Sequence, residues 1–132
     1  METKNYLHTE LSEKILKAYF KVYNTLGYGF LEKVYENAMM IELRKFDLRC
    51  YQQQHIDVFY DERKVGDYFA DIIVENKLII ELKASEYLVP EHEAQLVNYL
   101  RATDIEVGLL LNSGSTPQHK RRVLTAAYKK NR

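Results

Sequence analysis

One cysteine, two prolines, five glycines and no tryptophan occur in 132 residues, and no apolar run is long. A lone Cys50 cannot close an internal disulfide, and no Cys/His group has the spacing of a zinc site. So little Gly and Pro excludes a linker-rich or low-complexity chain. The amino terminus is polar, and no segment approaches the ~20 apolar residues needed to span a bilayer, so neither a secretory signal nor a membrane segment is expected. Net charge is missing too, because 19 basic residues balance 19 acidic ones. The molecule as a whole is therefore no polycation, and the expected setting is the cytoplasm of an intracellular, soluble protein.

Hydrophobic residues make up 46% of the chain, enough for one core, and residues 1–132 are read as a single domain. Charge is unevenly placed. Gln118 to Arg132 carries six basic residues (Lys120, Arg121, Arg122, Lys129, Lys130, Arg132) and no acidic one, which leaves 13 basic against 19 acidic side chains elsewhere. A basic tail on an acidic body can hold phosphates; cations at the negative end of a helix dipole would look the same.

Thr9 is placed to cap a first helix carrying Leu11, Ile15, Ala18, Tyr19 and Val22 at helical spacing. Gly27-Tyr28-Gly29 interrupts it, and a second helix is expected over Phe30–Phe46, with Leu31, Val34, Ala38 and Ile41, and Tyr35 beside them, on its apolar side. From Ile56 the period changes to two. A strand ending near Tyr60, a second over Lys64–Val74 with Gly66 marking a bulge or bend, and a third over Leu78–Lys83 form a meander with turns at Asp61-Glu62-Arg63 and Glu75-Asn76-Lys77. Pro90 opens a third helix to about Ala102, and Val107–Leu111 reads as a buried strand. A final helix, Thr116–Lys130, is expected to carry the basic tail. The fold class is α/β: a mixed central sheet, a three-stranded meander plus a further strand, flanked by helices.

Asp71, Glu81 and Lys83 interrupt the apolar runs of the second and third strands. With a three-residue turn at Glu75-Asn76-Lys77, positions 71 and 81 face each other, their Cβ atoms about 5 Å apart. Two facing carboxylates repel, and burial adds a desolvation cost; Lys83 relieves part of this, and a hard divalent cation with oxygen ligands relieves more. A solvated strand face for Glu81 and Lys83, with Asp71 accepting a turn hydrogen bond, accounts for the same residues without a ligand. On the third helix Gln95 and Tyr99 lie one turn apart, with His92 near their face. Glu32 and Tyr35 are neighbours on the second helix.

In combination these residues resemble the active-site pattern of the PD-(D/E)XK nuclease superfamily: Asp71, then Glu81-Leu82-Lys83 after a short hairpin. Gln95-x-x-x-Tyr99 resembles the helix element of its RecB-like and lambda-exonuclease-like branch, and Gly29-x-x-Glu32-x-x-Tyr35 resembles the signature of the GxxExxY family grouped with it. Ala70 stands where the superfamily name has proline. The resemblance implies a restriction-endonuclease-like core and a Mg²⁺- or Mn²⁺-dependent nuclease. Asp71, Glu81 and the Leu82 carbonyl would hold the metal, with Glu32 as a further ligand directly or through water. Lys83 would assist the attacking water, and Gln95 and Tyr99 would position the water, Lys83 or a phosphate. His55 and His92 are candidate supporting groups, and Cys50 reads as a packed residue. DNA ranks ahead of RNA as substrate, with Lys120, Arg121, Arg122, Lys129 and Lys130 as candidate nucleic-acid contacts. A non-catalytic nucleic-acid-binding module stays open, as does a protein-interaction subunit or homo-oligomer built on the 11 tyrosines.

Overall fold

A computed structural model of the chain describes residues 7–129. Helices α1 (Thr9–Leu26) and α2 (Glu32–Arg44) precede strands β1 (Cys50–Tyr60), β2 (Arg63–Val74) and β3 (Leu78–Lys83). Then come α3 (Pro90–Arg101), β4 (Val107–Ser113), β5 (Pro117–Val123) and a short 3-10 turn, Ala126–Tyr128. The strands form a sheet in the order β1-β2-β3-β4-β5. Neighbours are antiparallel except β3 and β4, whose parallel pairing needs the crossover that α3 supplies.

Each face of the sheet is covered. On one side Ile15, Tyr19 and Val22 of α1 and Tyr35, Met39 and Leu43 of α2 pack on Ile72, Leu78, Ile80, Leu109 and neighbours. On the other, Leu96, Tyr99 and Leu100 of α3 pack on Ile73, Ile79 and Leu110. Lying between two helical layers, β4 is buried along its whole length, which accounts for its continuous apolar sequence.

Four local expectations are corrected. Thr9 is the first residue of α1 rather than its cap; His8 occupies the cap position in a left-handed conformation, with no side-chain cap bond. α2 begins at Glu32 and ends at Arg44, and its buried stripe is Tyr35, Glu36, Met39, Met40 and Leu43. Leu31, Val34 and Ile41, expected inside, are 81%, 38% and 60% exposed. Both stripes are apolar enough to face a core, and tertiary contact chooses between them. The Tyr35 hydroxyl donates to the Gly27 carbonyl (2.6 Å), tying the helix face to its own entry loop.

The expected final helix is instead the edge strand β5, paired from Val107–Val123 to Ser113–Pro117. Pro117 occupies the first position of an edge strand, where a missing N–H is tolerated, and β4 offers a complete edge that outweighs the helical propensity of the Lys-Arg-Arg segment. Last, alternation fails where the site lies. Ile72 and Val74 pack toward α1 and α2, whereas Ala70, at the same parity, packs toward α3. The β1–β2 register skips Asp71 and the facing Gln53, whose φ is +54°. A second irregularity, between Val58 and Phe59, leaves Val65 unmatched beside Gly66, where the bulge was expected.

Candidate functional site

The backbone pairing of β2 with β3 runs from Val74–Leu78 to Ile72–Ile80 and stops. One step further, side chains take over. The Asp71 N–H donates to Glu81 Oε2 (2.9 Å), and the Leu82 N–H donates to Asp71 Oδ2 (2.8 Å). Each carboxylate thus satisfies an amide that the parting strands leave open, and the two acids are held side by side.

Glu81 is 3% exposed. Burial, and next the charge of Asp71, push its pKa up to about 8. Burial also raises the Asp71 pKa, partly countered by the Leu82 amide and reinforced by Glu36. Lys83, next but one on β3, donates to Gln95 Oε1 (3.1 Å), and Gln95 Nε2 donates to the Tyr99 hydroxyl (2.8 Å). Burial, then the nearby Glu81 charge, lifts the Tyr99 hydroxyl to about 12, so it remains a neutral phenol at ordinary pH. Asp71 with Glu81, and Lys83 with Gln95 and Tyr99, therefore form two hydrogen-bonded groups set two residues apart on β3.

Glu36 belongs beside them and was absent from the sequence reading. It is 3% exposed and accepts from Lys33 Nζ (3.0 Å), Gln52 Nε2 (2.6 Å) and Gln53 Nε2 (3.0 Å). Gln53 Nε2 also reaches Asp71 Oδ1 (3.2 Å), so the irregularity in β1 bridges the two acids. The available signal was its i+4 relation to Glu32, but an acid on a surface helix ordinarily reads as solvated. Glu32 itself is exposed; its Oε2 accepts the Ala84 N–H at 3.4 Å. It lines, with Glu36, Asp71, Tyr28 and Phe30, an open cleft of about 930 Å³.

Two carboxylates sharing a buried or half-buried spot, with a third buried acid within electrostatic reach and one adjacent lysine, form a hard-oxygen donor set. That set fits Mg²⁺ or Mn²⁺.

The remaining candidates lie elsewhere. His92 Nδ1 accepts the Val89 N–H (3.3 Å) at the start of α3. The His55 ring lies against Asp57 and Asp67 on the outer part of the β1–β2 hairpin, and Lys64 pairs with both acids. Ligand atoms of these three lie within 4.8 Å of one another, the one such His/Cys/Asp/Glu group among the described residues. Asp57 Oδ1 lies 3.1 Å from Lys64 Nζ and 3.2 Å from His55 Nε2, and neither contact has hydrogen-bond geometry.

The basic residues do not line one helix. Lys120 is exposed on β5; Arg121 turns inward to Ser12 Oγ (3.2 Å) and the Leu7 carbonyl. Arg122 pairs with Glu93, and Lys129 Nζ donates to the Thr103 carbonyl (2.8 Å). Lys130 and Arg132 lie outside the described residues. Among the described residues no helix is long and apolar enough to cross a membrane.

Residues 9–123 match the family model described as the PD-(D/E)XK nuclease superfamily. No curated protein matches the chain significantly. Among solved structures, that of SSO0001 is similar in fold, with a TM-score of 0.55 at 19% identity. The match covers 92% of this chain and 61% of that one, so the chain spans less than two thirds of that protein's length. The five-stranded mixed sheet with helices on both faces is the restriction-endonuclease-like core.

Proposed function

Since the chain belongs to the PD-(D/E)XK nuclease superfamily, we propose that it hydrolyses phosphodiester bonds in DNA with Mg²⁺ or Mn²⁺. The observation that carries this reading is the reciprocal amide–carboxylate pairing of Asp71 and Glu81, joined through β3 to the Lys83–Gln95–Tyr99 chain.

A cation held by Asp71, Glu81 and the Leu82 carbonyl, with Glu32 contributing from the rim, would acidify water and offset charge on the phosphate. The protein's own groups do the rest. Glu81, whose pKa burial and the Asp71 charge raise to about 8, would have to be ionised to serve as a ligand. Lys83 is fixed by Gln95, itself anchored on Tyr99, so its ammonium orients the attacking water and meets negative charge growing on the phosphate without reorganising. Glu36 and Gln53 hold Asp71 in place.

The test incubates the protein with single- and double-stranded DNA and with RNA, in Mg²⁺, Mn²⁺ or EDTA. Expected is cleavage of DNA that needs the metal and falls at least about a hundredfold in Glu81→Gln and Lys83→Ala. A folded protein without metal-dependent cleavage, or cleavage indifferent to both substitutions, would overturn the reading.

A further inference from the structure

We propose that the Tyr28–Leu31 loop is a stacking platform for unpaired bases, so that the strand entering the Asp71 cleft is single-stranded DNA. The proposal rests on the nuclease reading and adds the substrate class.

Three neighbouring apolar side chains line that cleft and face water: Tyr28 is 65% exposed, Phe30 46% and Leu31 81%. Their exposure is enforced by a fixed loop. Gly27 (φ +72°) and Gly29 (φ +108°) take backbone angles that side-chain-bearing residues avoid. Tyr35 locks the turn from beneath: its hydroxyl donates to the Gly27 carbonyl (2.6 Å) and accepts the Phe30 N–H (3.4 Å). The rings of Phe30 and Tyr35 meet edge to face with centroids 6.3 Å apart. Tyr23 ties the opposite wall to α1 through the Gly114 carbonyl (2.6 Å).

The cleft is acidic, so stacking rather than cation–phosphate contact is the attraction its rim offers. Among the described residues Lys33 is the one lysine or arginine lining it, and its ammonium pairs with Glu36 at 3.0 Å. Glu32, Glu36, Asp71 and Glu86 line it as well. A duplex hides its base faces and leaves exposed aromatics nothing to stack on; cation–phosphate contact holds single and double strands alike and does not choose between them. An unpaired strand exposes base faces, and each base stacked on an aromatic side chain contributes affinity regardless of sequence. Rigid aromatics beside the acids suit a splayed base whose phosphate lies over Asp71.

Binding is read by fluorescence anisotropy on the Glu81→Gln variant in EDTA, so that no turnover intervenes, with a labelled 20-nucleotide strand and the matching 20-base-pair duplex. The single strand is expected to bind at least tenfold tighter. Tyr28→Ala should weaken it roughly fivefold or more, about 1 kcal/mol, while Tyr28→Phe stays within about twofold. Equal or tighter duplex binding would overturn the proposal. So would unchanged single-strand affinity in both Tyr28→Ala and Leu31→Ala variants with native circular dichroism, or a Tyr28→Ala effect that sedimentation traces to dissociation of a dimer. The two readings separate. Tyr28-dependent single-strand binding without cleavage of any nucleic acid rejects the nuclease and keeps the platform, whereas metal-dependent cleavage with duplex preference does the reverse.

Discussion

Burial and the charge of Asp71 raise the pKa of Glu81, so a cation bound there would have to displace a proton. That pKa, near 8 in the folded, metal-free protein, compares with 4.5 for an unperturbed glutamate. Between those values the native state binds more protons than the unfolded one, so stability is full below about pH 4.5 and falls as pH rises toward 8. Urea unfolding in EDTA should show a loss of roughly a few kcal/mol between pH 5 and pH 8 that Glu81→Gln largely removes. The same proton should leave when metal enters. Calorimetry at pH 7 in buffers of different ionisation enthalpy is expected to register release of about one proton per Mn²⁺, absent in Glu81→Gln. Glu36 acts at this scale through Gln53, and Glu36→Gln should weaken Mn²⁺ binding about tenfold with the fold intact. Asp71, Glu81 and Lys83 were legible because they interrupt apolar strands, and Gln95 and Tyr99 through their one-turn spacing taken with the resemblance to the nuclease pattern. Glu36 was not, because an acid on an amphipathic helix breaks no pattern until the helix is packed.

Among the elements, the strands that read most clearly were those whose neighbours in sequence are their neighbours in space. The β1–β2–β3 meander and its three-residue turn at Glu75-Asn76-Lys77 follow from local alternation and turn chemistry, with Glu75 and Asn76 both at positive φ. β5 escaped because an edge strand of Gln, His, Lys and Arg has no apolar alternation to report; its identity comes from β4. The face of α2 escaped because Leu31, Val34 and Ile41 compete with Tyr35, Met39 and Leu43, and only docking separates them. The Tyr35 hydroxyl is part of that docking. Tyr35→Phe should destabilise the protein by about 1–2 kcal/mol, measured by urea unfolding, through loss of the bond to the Gly27 carbonyl. In the β4–β5 turn, a Cβ on Gly114 would lie 2.6 Å from the Ser85 carbonyl oxygen and 2.9 Å from that of Glu86, both backbone. Gly114→Ala is therefore expected to displace the chain just after Lys83, costing about 1–3 kcal/mol by the same measurement and lowering cleavage.

For the whole molecule, zero net charge and dispersed cations bear on how the proposed substrate would be held. Arg121, Arg122 and Lys129 are engaged within the protein, so few counterions should be released on binding. The logarithmic dependence of single-strand affinity on salt is expected to have a slope of magnitude below about 3, measured by anisotropy from low to moderate salt. A steeper slope would mean that a larger cationic surface does the holding. Composition, hydrophobic period and turn residues by themselves determined an α/β chain with a carboxylate-bearing hairpin and a Gln–Tyr helix, since these are properties of short stretches. Three things were decided only by tertiary contact: which face of α2 is inside, that the basic segment pairs with β4, and that Glu36 and Gln53 join the acids at the point where β2 parts from β3. Each depends on what a distant segment presents, and a side chain's own neighbours in sequence carry no information about that.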